Sequence, residues 1–99
     1  MIIEHAILDV EPSEQEEYEA TLLKALPFIR ATPGFIKLEV RPCLEKAGRY
    51  LLLVEWRELE DHTLGFRNSD RYEEWRRLLH RFYDPFPVVE HFGEAIVKS

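Results

Sequence analysis

Four histidines supply the acid–base chemistry that this sequence could perform, and three of them are candidates for a common site. His5 and His91 each follow a glutamate on a predicted strand, and His62 lies in a predicted helix. Imidazole titrates near neutral pH, so a histidine in an apolar pocket can accept a phenolic or enolic proton. The resulting anion can react directly with dioxygen while the pocket keeps water away. The alternative is a half-buried structural histidine, which we favour for His91 and weigh equally with catalysis for His5 and His62.

Aromatic and basic side chains near these histidines could form a pocket that holds a planar ligand by stacking. Trp56 and Trp75 would be its walls, and Arg67 or Arg71 would hold the anion. Aromatic residues at helical spacing are also typical of an ordinary core, so that alternative stays open. The candidate catalytic residues are His62, His5 and Trp56, and the candidate substrate-binding residues are Arg67, Arg71, Tyr72, Trp75, Phe66 and His91.

The remaining features of the sequence set limits on the partners of the protein. The histidines are scattered without a His-x-x-x-His spacing, so we predict no metal site, and we expect His80 to face solvent or cap a helix. The chain has 99 residues, for which we predict one domain over residues 1–99. Its 13 basic and 19 acidic residues give a formal charge of −6, which argues against a nucleic-acid partner.

The sequence also bears on the cellular compartment. Cys43 is the only cysteine, so no disulfide can form within the chain. We find no signal peptide and no apolar run near the roughly 18 residues of a membrane span. We therefore expect a cytoplasmic protein without a membrane partner.

The pattern of apolar residues predicts the order β-α-β-β-α-β. Alternating residues predict strands over residues 2–10, 35–43, 49–57 and 88–97, with Phe35 on the opposite face of its strand from Ile36 and Leu38. A helix should begin with a capping box of Ser13 and Glu16, and Pro27 should either kink its last turn or end the regular helix near Leu26.

The second half of the chain should contribute two further helices. A short helix is predicted over residues 58–66, and Ser69 should cap a longer one that buries Tyr72, Trp75 and Leu79. This order is the α+β, ferredoxin-like βαββαβ plan, with an antiparallel sheet of strand order 4-1-3-2. The first strand is largely apolar on both faces, so we expect a second subunit to cover the face that the helices leave open.

Several short motifs resemble those of the antibiotic biosynthesis monooxygenase (ABM) domain family. These are Thr32-Pro33-Gly34-Phe35, Leu53-Val54-Glu55-Trp56, Leu59-Glu60-Asp61-His62, and Ser69 followed by Tyr72-Glu73-Glu74-Trp75. The resemblance implies a dimeric α+β barrel formed by two copies of the chain. It further implies a monooxygenase that needs no bound cofactor and acts on a small quinol-like or polyketide-like aromatic. The family also contains haem-degrading enzymes and small proteins with no known activity.

Some positions depart from the patterns of particular branches. Trp56 matches the third-strand Trp of the polyketide oxygenases, but Leu52 stands where they have an Asn. His5, Phe66 and Arg76 replace the three residues on which the haem-degrading branch relies. The Leu59 to His62 pattern resembles the branch that acts on small quinols and signalling molecules. The alternatives are a non-catalytic ligand-binding or structural dimer, and isomerisation or lactone chemistry with the same base.

Overall fold

The computed structural model describes residues 1–99 and shows a four-stranded antiparallel sheet with two helices on one face. The strands are β1 (Ile2–Asp9), β2 (Phe35–Pro42), β3 (Arg49–Trp56) and β4 (Glu90–Phe92), and the helices are α1 (Gln15–Arg30) and α2 (Asp70–Leu79). A π-helical segment (Asp61–Phe66) lies between β3 and α2, and short 3₁₀ turns occupy Pro12–Glu14 and His80–Phe82. The sheet order β2-β3-β1-β4 confirms the predicted ferredoxin-like plan.

The core lies between the helices and the inner face of the sheet. On β1, Ala6 and Leu8 are buried, whereas Ile7 between them is exposed. On β3, Val54 and Trp56 are completely buried. Side chains of a strand point alternately to the two faces of the sheet. The helices cover the inner face, and the outer face is left open. This confirms the predicted division of β1 into two faces.

The strand β2 departs from simple alternation near its start. Its register against β3 shifts between Phe35 and Lys37, which is a β-bulge. The extra residue brings Phe35 onto the inner face, opposite Trp56, where the two rings meet edge to face at 5.9 Å. The prediction that Phe35 lies on the opposite face from Leu38 was therefore wrong.

The predicted start of α1 was also wrong, and of the two alternatives at Pro27 the helix does not end near Leu26. Ser13 lies in a 3₁₀ turn, and the residue that caps the helix, Glu14, makes no side-chain hydrogen bond there. The helix continues through Pro27 to Arg30. Proline removes one hydrogen bond, the one to the carbonyl of Leu23. Leu23 is exposed, so water can replace the missing donor.

The structure confirms the start of α2 and shortens the last strand. The backbone N–H of Tyr72 donates to Ser69 Oγ at 3.2 Å, which is the predicted cap. The strand β4 covers only Glu90–Phe92, instead of residues 88–97. Phe92 already pairs with Ile3 near the start of β1, so almost no strand remains for later residues to pair with. No helix has the length and hydropathy needed to cross a membrane.

Candidate functional site

A cavity of about 440 Å³ lies between the inner face of the sheet, the π-helical segment and α2. Its size is within the range of about 300–1,000 Å³ that is typical of small-molecule sites. Its walls are mainly apolar and aromatic, with a few polar groups directed inward. The lining residues are Glu4, Ala6, Leu8, Leu52, His62, Phe66, Arg67, Tyr72, Trp75, His80, Tyr83, Phe86, Pro87 and Val89.

The π-helical segment brings His62 and Phe66 to this cavity. Both side chains are buried, and the backbone N–H of Arg67 closes the wide turn by donating to the carbonyl of His62 at 3.1 Å. The start of the segment packs against Gly34, whose φ is +89°. A Cβ atom at Gly34 would lie 2.1 Å from Asp61 Cγ, so glycine permits this close approach. π-Helical turns are frequent at functional sites.

Glu4 is the buried carboxyl group of the cavity. It is 6% exposed, and its Oε1 atom accepts a hydrogen bond of 3.0 Å from Trp56 Nε1. Burial raises the pKa of Glu4, while the Trp56 hydrogen bond and the charge of Arg67 partly oppose that shift. Its Oε2 atom has no hydrogen-bond partner and is not sealed from solvent. Glu4 therefore lines the cavity with a carboxyl group that has one oxygen without a hydrogen-bond partner.

His62 lies beside Glu4 and is held neutral. Its ring stacks on Trp56 with a centroid distance of 5.3 Å and an interplanar angle of 20°. Its Nε2 atom is 3.4 Å from Glu4 Oε1, and its Nδ1 atom is 2.8 Å from His91 Nε2. Burial, assisted by the charge of Arg67, lowers the pKa of His62 from 6.5 to about 3. At neutral pH the imidazole is uncharged and is a weaker base than free histidine.

The two candidate arginines have different surroundings. Arg71 donates from Nε to Thr32 Oγ1 at 3.1 Å, which ties α2 to the end of α1. Arg67 lines the cavity, is exposed at its edge and forms no ion pair. Its charge lowers the pKa of Glu4 and of His62. Of the two, Arg67 is the cation available to a bound anion.

Aromatic rings form the wall opposite the sheet. Phe66 meets Tyr72 and Trp75 edge to face, at 5.3 and 5.9 Å. Farther along, the ring of His80 contacts Tyr72 at 6.0 Å and Phe86 at 5.0 Å. Burial lowers the pKa of His80. An aromatic ligand in this cavity would meet both ring faces and ring edges, which favours a planar molecule.

The structure brings most of the predicted site residues together. His62, Phe66, Arg67, Tyr72 and Trp75 line the cavity. Trp56 and His91 lie behind it, in hydrogen-bond contact with Glu4 and His62 respectively. Arg71 and His5 do not line it; His5 lies on the outer face of the sheet, next to Phe92. No group of three or more histidine, cysteine, aspartate or glutamate side chains is arranged to hold a metal ion.

Two side chains that line the cavity were missed by the sequence reasoning. Glu4 alternates with Ala6 and Leu8 on the inner face of β1, and a carboxyl group on a core-facing strand position is a signal that could have identified it. His80 was expected to face solvent or to cap a helix. It does occupy the C-cap position of α2, and it also lines the cavity. Its position at the end of a helix gave no indication of the turn at Phe86 that encloses it.

Comparisons with known proteins place this geometry in context. A family model described as antibiotic biosynthesis monooxygenase matches residues 1–78. The uncharacterized protein YczJ of Bacillus subtilis (strain 168) is 49% identical over 95 residues, which cover 96% of this chain and 100% of YczJ.

Solved structures share the fold. A candidate antibiotic biosynthesis monooxygenase from Bordetella bronchiseptica is 28% identical, with a TM-score of 0.89 and coverage of 96% of this chain and 97% of that chain. A monooxygenase from the gene ActVA-Orf6 of Streptomyces coelicolor, in complex with the ligand nanaomycin D, is 18% identical. Its TM-score is 0.79, and the match covers 99% of this chain and 92% of that one.

Proposed function

This chain belongs to the antibiotic biosynthesis monooxygenase family, and on that basis we propose that it is a cofactor-independent monooxygenase of a small quinol-like or polyketide-like aromatic. The observation that carries the proposal is the arrangement of Glu4 in the cavity. A buried carboxyl group with a raised pKa and one oxygen without a hydrogen-bond partner lines an aromatic cavity, with an unpaired arginine at the edge. A raised pKa beside a specific charge in a cleft is typical of functional sites.

The cavity suits an aromatic ring with hydroxyl substituents. Its volume of about 440 Å³ accommodates a small planar molecule. Phe66, Tyr72 and Trp75 offer edge and face contacts, each worth about 0.5–1.5 kcal/mol beyond the area that they bury. The monooxygenase of Streptomyces coelicolor with the same fold binds nanaomycin D, which supports a planar ligand here as well.

Glu4 is the proposed general base, with His62 as its partner. A carboxylate whose pKa is raised is a better match for a phenolic proton than an ordinary one, because general bases work best when their pKa is near the working pH. His62, with a pKa of about 3, is too weak a base for this role. Its neutral ring instead lies next to Glu4 Oε1 and keeps that side chain in place through the Trp56 stack.

The proposed reaction uses dioxygen as the oxidant. Glu4 removes the hydroxyl proton of the substrate, and Arg67 stabilises the anion. The electron-rich ring transfers an electron to dioxygen, and the two radicals combine to form a C–O bond. Glu4 returns its proton to the resulting peroxide and then removes the hydrogen of the same carbon as a proton. The O–O bond breaks, and the departing hydroxide takes this proton, which gives a carbonyl group and one molecule of water. The aromatic walls keep bulk water from the intermediate.

We further propose that the protein is a homodimer formed through the outer face of the sheet. Ile7 and Phe92 on that face are 40% and 51% exposed, although they belong to a sheet. The Nδ1 atom of His5 on the same face is buried without a hydrogen-bond partner. A second copy would cover the apolar side chains and could provide a partner for His5. Light scattering at micromolar concentration should give twice the mass of 11.8 kDa, and a monomeric mass would contradict the proposal.

The second candidate is a ligand-binding dimer without chemistry. Leu52 favours it, because this cavity-lining residue replaces the Asn expected from the polyketide oxygenases. The two candidates differ in a single measurement. Both predict that dihydroxyaromatics quench the fluorescence of Trp75, but only the first predicts that oxygen is consumed.

An oxygen electrode with a panel of hydroquinones and dihydroxynaphthalenes tests the proposal. We expect uptake by the wild type and a loss of about 100- to 10,000-fold in Glu4→Gln, the usual range for a positioned acid or base. Glu11→Gln is the matched control, since it makes the same change at an exposed position. Fluorescence quenching without oxygen uptake for the whole panel would instead support the ligand-binding candidate.

A further inference from the structure

A line of polar groups leads from the cavity to the edge of the sheet. Glu4 Oε1 lies 3.4 Å from His62 Nε2, and His62 Nδ1 lies 2.8 Å from His91 Nε2. Glu4 and His91 are direct cross-strand partners on β1 and β4, so both side chains project from the same face. The three groups come from three separate elements: His62 and His91 are hydrogen-bonded, and Glu4 Oε1 lies within 3.4 Å of His62 without a formed hydrogen bond.

The outer end of this path is open to water. His91 is half-buried on the edge strand, and its Nδ1 atom has no hydrogen-bond partner in the chain. The only buried side-chain nitrogen or oxygen without a partner is His5 Nδ1, so His91 Nδ1 is accessible to solvent. The inner end is Glu4, which lines the cavity.

We propose that His62 and His91 form a proton relay that connects Glu4, and through it the cavity, with solvent at the β4 edge. This inference rests on the proposed function, which gives Glu4 a proton to release and later to recover. When a bound ring fills the cavity and displaces its water, Glu4 needs a route for its proton that does not open the cavity. Two imidazoles in series provide one, because each ring can accept a proton on one nitrogen and release one from the other.

The transfer leaves both rings uncharged. At the start, His62 donates its Nδ1 proton to His91 Nε2, and His91 carries its own proton on Nδ1. Glu4 passes its proton to His62 Nε2, His62 passes its Nδ1 proton to His91 Nε2, and His91 releases its Nδ1 proton to water. One proton has left Glu4, and each ring is now in its other neutral tautomer. The reverse sequence returns one proton to the cavity.

The surrounding groups favour this neutral exchange. Arg67, on the turn that follows the π-helical segment, lowers the pKa of Glu4, His62 and His91 alike, so it opposes a lasting imidazolium ion. The group that faces Glu4 from β3 is the indole N–H of Trp56, which does not titrate. His5 on β1 points to the other face of the sheet and takes no part.

Infrared spectroscopy of the protein with its cavity filled by naphthalene, which has no acidic proton and displaces the cavity water, tests the relay without any substrate. A light-triggered release of protons lowers the pH, and the C=O stretch of protonated Glu4 is identified as the band that Glu4→Gln removes. We expect His91→Phe to slow the appearance of this band by about a hundredfold, the lower end of what positioned proton-transfer groups contribute. The equilibrium midpoint of the band should change little. Added imidazole should restore the rate in His91→Ala.

Control variants separate the relay from a structural role. Glu90→Gln, at the exposed neighbouring position on β4, should keep the wild-type rate. His62→Gln should be as slow as His91→Phe, because it interrupts the same path. Equal rates in the wild type and His91→Phe would overturn the relay, as would a slow variant that imidazole does not restore. Oxygen uptake is measured in a separate experiment, so a failure of the relay can be distinguished from a failure of the proposed function.

Discussion

Acid should destabilise this protein through His62, because the folded chain keeps that imidazole neutral. The ring is 3% exposed and stacked on Trp56, and burial lowers its pKa from 6.5 to about 3. In the unfolded chain the ring is hydrated and titrates near its ordinary pKa of about 6.5. Between these two values the unfolded state binds more protons than the folded state. The free energy of unfolding therefore falls as the pH falls through this window.

The size of the effect follows from the two pKa values. A pKa difference of one corresponds to about 1.4 kcal/mol, so lowering the pKa from 6.5 to about 3 corresponds to at most about 5 kcal/mol. At about pH 4 the folded imidazole is still largely neutral, and the loss relative to neutral pH is about 3 kcal/mol. The lowered pKa values of the Asp9 and Glu39 carboxyl groups also make the protein less stable in acid. A His62 variant keeps both groups, so their contribution cancels when it is compared with the wild type.

Urea unfolding of the wild type and His62→Gln at about pH 7 and about pH 4 measures this contribution. Glutamine retains a donor and an acceptor for Glu4 and His91 but does not titrate. We expect the wild type to lose about 3 kcal/mol more than the variant between the two pH values. His91→Gln, at a half-buried position, should differ from the wild type by less. Losses that agree within about 0.5 kcal/mol for wild type and His62→Gln would refute a neutral, buried His62.

Three further predictions concern groups around the cavity and the turns of the sheet. Glu4→Gln should raise the free energy of unfolding more at alkaline than at acidic pH, because the raised pKa of Glu4 makes its ionisation cost stability as the pH increases; urea unfolding across pH checks this. Trp56→Phe should cost about 1.5–3 kcal/mol from the lost hydrogen bond to Glu4 alone, and Trp75→Phe, whose indole donates to no residue, should lose less. Gly48→Ala should cost about 1–3 kcal/mol by the same assay, since its φ is +84° and a Cβ would lie 2.1 Å from the carbonyl oxygen of Val10. Gly93→Ala, with open space around it, should have little effect.

The parts of the fold that depend on local sequence were predictable. Alternation in β1 and β3 gave their inner faces, and Ser69 gave the start of α2, because a cap is a contact between residues three apart. The errors concern features that only the neighbouring strand or helix decides. The bulge at Phe35 is defined by its register against β3, and the end of β4 is set by where β1 begins.

The candidate site likewise has parts that the sequence predicted and parts that it did not. His62, Phe66 and Arg67 are neighbours in one segment, so a single correct assignment placed all three together. His5 and Glu4 are adjacent on β1, and the period of two sends them to opposite faces. Sequence reasoning preferred His5 because imidazole titrates near neutral pH. That preference overlooked burial, which lowers the pKa of His62 and raises that of Glu4, and so weakens the imidazole as a base and strengthens the carboxylate.

Glu4 interrupts the apolar pattern of the inner face of β1. The inner face of β1 otherwise presents Ala6, Leu8 and Val10, and an apolar residue at position 4 would bury without an electrostatic cost. Trp56 and Arg67 reduce the cost of burying the carboxyl group, but its pKa is still raised, so the compensation is incomplete. A carboxyl group with a purely structural role would engage both oxygens, whereas the Oε2 atom of Glu4 has no hydrogen-bond partner. The stability that this position costs therefore lies where the proposed reaction needs a proton acceptor, which is the relation expected between a locally unfavourable residue and a functional site.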